Sequence, residues 1–212
     1  MVIPLGLVML FPECGIAVRL LLPPLLGIAA VVAVFYGGDR RGRLAAKLGI
    51  RPVRCGKLGI SFFFAFLLAA ACGLLTAAFQ ALLEYLQVDF EAEQPLVELA
   101  AHSDFATWLL IAFAVCIAVP AAEELIFRRA LYGWLLPLGV WSATVLTALV
   151  FSLCHMFLLG IPGLFLLGFG FQRLFCRFRN LVYPVFVHAV FNLITLCAML
   201  VAPETGQGGG LI

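Results

Sequence analysis

Ala121-Ala-Glu-Glu-Leu-Ile-Phe-Arg-Arg-Ala130 follows without a break on the apolar run from Phe105 to Ala121. Two adjacent carboxylates and two guanidinium groups therefore sit on a segment apolar enough to enter a membrane. Ionisable groups at that depth are costly, and within a membrane helix they point to function by default. Further along, one apolar segment carries His155 and a later one carries His188 and Asn192. Acid, base and amide groups set in hydrocarbon imply chemistry performed inside a membrane.

Composition agrees with that reading. Of 212 residues, 65% are hydrophobic and 11% are charged, where a soluble domain carries about 25% charged residues. The mean hydropathy is +1.16. The expected fold class is all-α: a polytopic transmembrane helix bundle with about six spans. Residues 1–212 form a single integral membrane domain in this reading, with a motif-bearing core at about 105–196 and a disordered tail at 203–212.

A bilayer-spanning helix needs about 20 apolar residues. Spans are expected near 16–37, 59–84, 105–127, 139–158, 161–176 and 181–202. Met1 to Phe11 is apolar but short, and reads as an interfacial segment or an extension of span one. Pro23-Pro24 should kink span one, because proline removes a helical donor and clashes with the preceding turn. Pro95 interrupts the 87–104 loop, which leaves room for a short amphipathic helix around Leu96 to Ala101. Span five is short and holds Gly160, Gly163, Gly168 and Gly170. Those glycines permit close helix packing or, equally, a broken or re-entrant segment.

Charge placement sets the expected topology. Arg40, Arg41, Arg43, Lys47, Arg51, Arg54 and Lys57 fill one connection, and Arg173, Arg177 and Arg179 fill another. Glu84, Asp89, Glu91, Glu93, Glu98 and Asp104 cluster elsewhere. Short loops rich in Lys and Arg stay cytoplasmic, so the 38–57 and 173–180 loops belong inside and the 87–104 loop outside. Both termini then lie outside. Flanked by membrane spans, the basic patches do not read as a nucleic-acid surface. The seven cysteines include no CxxC pair, which suggests neither a disulfide framework nor a thiolate zinc site.

Glu124 and Arg128 stand i, i+4 with the acid N-terminal, the favourable orientation for an ion pair. Glu123 points about 100° away around the helix and looks into the bundle. Arg129 reads as a snorkelling residue at the cytoplasmic interface, and His102 as a solvated loop histidine. His155 alone reads more readily as a hydrogen-bonded core residue than as a catalyst. His188 and Asn192 lie one turn apart on one face, where they serve either as catalytic donors or as interhelical glue. Glu123 precedes the turn near Pro137 by about 14 residues and His155 follows it by about 18, a depth difference of ~6 Å at ~1.5 Å per residue. Helix tilt can absorb that difference.

Three motifs in order, Glu123-Glu124-x-x-x-Arg128, Phe151-x-x-x-His155 and His188-x-x-x-Asn192, resemble the CAAX protease and bacteriocin-processing family, the glutamic intramembrane proteases also called the Abi family. The resemblance covers roughly 105–196, and Lys47-Leu-Gly-Ile-Arg-Pro52 is similar to the stretch that often precedes the family's core. The resemblance implies an intramembrane endopeptidase with no cofactor. Its partners would be the lipid bilayer and a membrane-tethered peptide or protein substrate. Its location would be a bacterial inner membrane. It also implies roles. Glu123 would be the general base, shared with His155. His188 and Asn192 would donate to the oxyanion. Glu124 and Arg128 would orient the site, and Phe151 would pack beside His155.

Two alternatives stay open on the sequence. A non-enzymatic immunity or scaffold protein needs none of this chemistry. A zinc protease would use two histidines and a glutamate, although no HExxH is present. The aspartyl type needs Gly-x-Gly-Asp, and Tyr36 stands where the first glycine of Gly37-Gly38-Asp39 would have to be.

Overall fold

The computed structural model describes residues 15–36, 44–90 and 103–201, and every regular element among them is helical. The segment to Phe11, Arg40, Arg41, Arg43, the 91–102 part of the acidic loop with its expected helix, and the tail from Pro203 lie outside the described residues. In chain order the helices are α1 (Ile16–Tyr36), the single turn α2 (Leu44–Lys47), α3 (Cys55–Tyr85), α4 (Phe105–Leu138), α5 (Val140–Leu153), α6 (Ile161–Phe178) and α7 (Val182–Val201).

Four of these, α1, α3, α4 and the stretch Leu158–Phe178 containing α6, are long and apolar enough to cross a membrane. The apolar stretches Val140–Leu153 and Val182–Ala198 are shorter. The bundle's outside is apolar, with Leu26, Val34, Phe63, Leu67 and Leu74 exposed. Its inside holds buried Ser61, Glu124, Arg128, Thr147, Gln172 and His188. In water that distribution would be an aggregation surface; in a bilayer it is the expected one. The protein is an integral membrane protein with an all-α bundle.

Helix α1 runs through Pro23 and Pro24 without ending. The helices sit where hydropathy places the spans, with two differences, both at helix ends. Helix α4 continues past residue 127 to Leu138. Helix α5 ends at Leu153, so its 14 residues span ~21 Å, less than the ~30 Å of hydrocarbon. The chain unwinds over Cys154–Phe157, with Met156 at φ 51°. Irregular backbone within a membrane protein is tolerated where protein buries it or where it lines a cavity.

Helix α6 is unbroken, and it is the most enclosed of the long helices. Its glycines are there for close approach. A Cβ on Gly163 would lie 2.7 Å from Thr76 Oγ1 and 3.3 Å from the Cys72 carbonyl oxygen of α3. On the other side, a Cβ on Gly168 would lie 2.9 Å from Phe151 Cδ1 and 3.3 Å from Ala148 Cα of α5. Cys72 uses the proximity to donate its thiol proton to the Gly163 carbonyl at 3.2 Å.

The two basic connections meet at one end of the bundle. Leu181 N–H donates to the Gly49 carbonyl at 2.8 Å, and the Asn180 amide donates to the Arg51 carbonyl at 3.1 Å. Arg54 N–H donates to the Tyr183 hydroxyl at 3.0 Å. Gly49 takes φ 79°, against the Phe175 ring. Arg129 Nε donates to the Lys47 carbonyl, so this residue ties α4 to the clamp rather than only reaching for the interface. The Lys47–Pro52 stretch thus closes the start of α7 onto the start of α3.

Candidate functional site

Helix α4 brings its acidic pair into the bundle through an irregular path. Two π turns, Ala114–Ala118 and Leu125–Leu131, bracket the α-helical stretch Val119–Glu124. π turns are rare and recur at functional sites. Between them Glu123 and Glu124 are both buried, and Arg128 is fully enclosed.

Glu124 is gripped from two sides. Arg128 Nε donates to Glu124 Oε2 at 2.8 Å and Arg128 Nη2 donates to Oε1 at 3.3 Å. The expected i, i+4 pair is therefore bidentate, the geometry that gives charge-assisted bonds their strength. From α7, His188 Nδ1 lies 3.1 Å from Glu124 Oε1. The other ring nitrogen, Nε2, faces Glu123 Oε2 at 3.7 Å. One imidazole on α7 thus stands between two neighbouring carboxylates of α4.

Aromatic rings surround the charges. The Arg128 guanidinium lies 5.0 Å from the Phe151 ring centroid, 5.6 Å from Phe171 and 6.0 Å from Phe127. Each is within cation–π range. Arg128 Nη1 has no hydrogen-bond partner, and those ring faces are its surroundings. Phe171 also lies 4.7 Å from the His188 ring, and Phe151 4.9 Å from the His155 ring. Phe151 therefore packs against His155 as expected and also against Arg128, which the sequence did not reveal.

His155 follows the end of α5 instead of standing on it. Its Nδ1 lies 2.8 Å from the Phe151 carbonyl oxygen. A carbonyl only accepts, so Nδ1 carries the proton and Nε2 presents a lone pair. That Nε2 is buried and has no hydrogen-bond partner.

His188 and Asn192 share a face of α7, but they meet different groups. Asn192 Nδ2 donates to the Val115 carbonyl at 2.8 Å, within the first π turn of α4. A cavity of about 520 Å³ lies beside it between α3, α6 and α7, walled by Cys72, Thr76, Gly163, Leu167, Phe157 and Asn192. Phe157 belongs to the unwound segment after His155, so the cavity borders the irregular backbone.

Among the described residues no group of three or more His, Cys, Asp or Glu is placed to hold a metal ion. Several buried polar residues escaped sequence reading, Gln172 the largest of them. Gln172 on α6 is fully enclosed, with Nε2 3.5 Å from Cys176 Sγ. Its place two residues past Gly170 in a glycine-rich run carried no signal of burial.

The chain matches no curated protein and no solved structure. Residues 105–194 match the family described as Type II CAAX prenyl endopeptidase Rce1-like. The matched stretch carries both glutamates, Arg128, Phe151, both histidines and Asn192. The CAAX proteases act on membrane-associated protein substrates. Over residues 105–194, from the start of α4 into α7, this chain is similar to the Type II CAAX prenyl endopeptidase family.

Proposed function

We propose that the protein is a glutamic intramembrane endopeptidase that cuts a membrane-tethered protein or peptide near its C-terminus, with Glu123 activating the water. One observation carries the reading: His188 is buried between two carboxylates, 3.1 Å from Glu124 and 3.7 Å from Glu123. The first distance is a hydrogen bond. The second is too long for one and leaves Glu123 and His188 Nε2 facing the same space.

Charge supports the assignment. Glu123, Glu124 and Arg128 together carry one net negative charge, and an unbalanced buried charge is costly. One proton shared between His188 and Glu123 brings the group to neutrality. With that proton on His188, the site holds a carboxylate base beside an N–H donor. Glu123 takes a proton from water, and the water oxygen attacks the scissile carbonyl carbon. His188 Nε2–H donates to the oxygen that becomes negative. The C–N bond then breaks, and the proton held by Glu123 passes to the leaving amine. A positioned general base contributes ~10²–10⁴-fold, and one oxyanion donor a further ~10²–10³-fold.

The remaining residues support those two. His155, with its Nε2 lone pair, is a second acceptor for the water. Glu124 fixes the His188 ring through Nδ1, and Arg128 fixes Glu124. The 520 Å³ cavity beside Asn192 falls in the range of ligand-binding clefts, and supports entry of the substrate segment between α3 and α7. The clustering of Lys47, Arg51, Arg54 and Lys57 with Arg177 and Arg179 supports a cytoplasmic position for that end, in a plasma membrane.

The test uses purified protein in liposomes with a panel of membrane-tethered peptides, with and without a prenylated C-terminal cysteine. Cleavage by the wild type and its loss in Glu123→Gln is the expected result. A Glu123→Gln protein that keeps more than about a tenth of the rate would remove the base assignment. Loss of cleavage on chelation, restored by zinc, would favour the metalloprotease instead.

A further inference from the structure

The Asn192 amide faces the backbone of α4, at a carbonyl that the helix itself cannot satisfy. In the first π turn Val119 N–H donates to the Ala114 carbonyl, five residues back. The next rung of that register would join residue 120 to the Val115 carbonyl. Residue 120 is proline, which has no N–H. In an α register Val119 N–H would have gone to Val115; the π register gives it to Ala114. The Val115 carbonyl is therefore orphaned by two causes acting together, and a buried carbonyl left unpaired is destabilising. Asn192 Nδ2 donates to that oxygen at 2.8 Å, from a residue only 6% exposed.

We infer that Asn192 is a positioning residue: its side-chain amide replaces the missing N–H of Pro120 and locks α4 in the π register that turns Glu123 and Glu124 toward His188. The inference deepens the proteolytic reading and rests on it for the consequence on rate. The physical reason is rotation. A π turn accommodates one more residue than an α turn, and one residue is ~100° around the helix axis. Relaxation of Ala114–Ala118 to the α form would carry the acidic pair round by that angle and bring a different residue to face α7. His188 and Asn192 are one turn apart on α7, so one helix both sets the register of α4 and meets the acids that the register presents. An oxyanion donor, by contrast, has no reason to depend on what stands at residue 120.

That dependence is the test. Asn192→Ala is made in the natural Pro120 background and in a Pro120→Ala background, where the backbone regains its own donor. Single-turnover cleavage and detergent-solubilised melting temperature are measured for all four proteins. In the Pro120 background Asn192→Ala should lower kcat by ~10²-fold with little change in KM, the loss typical of a misplaced reacting group. It should also lower the melting temperature. In the Pro120→Ala background the same substitution should cost less than ~10-fold in kcat and leave melting nearly unchanged, because coupled sites are non-additive. Equal losses in both backgrounds, including failure to fold in both, overturn the clamp and return Asn192 to the oxyanion. If the wild type cleaves nothing, the proteolytic reading fails, and the melting cycle still decides the clamp.

Discussion

Glu123 and Glu124 are consecutive residues of α4, both buried, yet they face different surroundings. Glu124 receives two N–H groups from Arg128 and one ring nitrogen from His188. Glu123 faces His188 Nε2 at 3.7 Å, on the far side of the same ring. The ring divides the pair: Glu124 lies on its Nδ1 side in a hydrogen-bonded frame with Arg128, and Glu123 lies on its Nε2 side. Adjacent like charges are tolerated here because the frame supplies Arg128 to one of them. A helix places neighbours ~100° apart, so two consecutive acids can take such different roles without any bend between them.

The sharpest way to break the comparison is to neutralise each acid in turn and read rate and stability separately. Glu123→Gln should lower the cleavage rate by ~10²–10⁴-fold, since an amide cannot take the proton of water. Its melting temperature should stay near the wild-type value. Glu124→Gln should do the reverse in emphasis, with a clear loss of melting temperature, because Arg128 keeps its charge and loses its partner. A Glu123→Gln protein that fails to fold while Glu124→Gln folds well and loses rate would exchange the two roles.

Arg128 gives the next largest effect. Breaking a buried ion pair by removing one partner costs about 3–5 kcal/mol, because the other charge is left unpaired. Arg128→Met should therefore destabilise strongly, as followed by melting in detergent. The double change Glu124→Leu with Arg128→Met removes both charges and should be less damaging than Arg128→Met alone. If the double variant is the worse of the two, the pair contributes more than its neutral replacement, and the frame around Glu124 is held by more than charge balance.

Gly168 tests the frame from outside. A Cβ there meets Phe151 Cδ1 at 2.9 Å and the α5 backbone at 3.3 Å, and Phe151 in turn touches Arg128 and both histidines. Overpacking of this kind costs about 1–3 kcal/mol. Gly168→Ala should lower both melting temperature and cleavage rate, since the displaced ring pushes on both sides of the site. Gly163→Ala, against Cys72 and Thr76, should lower melting with a smaller effect on rate. Equal rate losses for the two would mean that Phe151 does not transmit the displacement.

Much of this was legible in the sequence because it follows from short-range geometry. The i, i+4 spacing of Glu124 and Arg128 is an ion pair, and His188 and Asn192 share a face of α7. Hydropathy alone counted six apolar helices. What was not legible depends on contacts between helices. The π turns of α4 leave no mark in composition, so the partner of Asn192 was hidden, although Pro120 was the one local sign that a carbonyl nearby would go unpaired. The glycines of α6 allowed either a broken span or close packing; Cys72, Thr76 and Phe151 decide for packing, and none is near them in sequence. Helical spacing from Phe151 to His155 placed the histidine on a helix. The Nδ1 contact with the Phe151 carbonyl keeps that spacing two residues beyond Leu153, where α5 ends.

The smallest expected effect comes from a third carboxylate on the same helix. Asp104 caps the N-terminus of α4, its Oδ1 accepting from Thr107 N–H at 2.7 Å. It is exposed, so it lacks both the aromatic enclosure and the charged partner of Glu124. The Thr107 N–H holds its carboxyl below the usual carboxylate value. A depressed folded value means that the capping contribution is present above the ordinary carboxylate range and is lost as pH falls through the folded value. Asp104→Ala should therefore lower the melting temperature slightly at neutral pH, leave cleavage unchanged, and differ less and less from the wild type as the solution is acidified below that range. Asp104→Asn keeps an acceptor for Thr107 and should lie closer to the wild type at neutral pH. A melting gap that does not narrow in acid would show that the side chain acts without its charge. A loss of cleavage would mean that the N-terminal end of α4 is coupled to the acidic pair far along the same helix, which the buried frame around Glu124 gives no reason to expect.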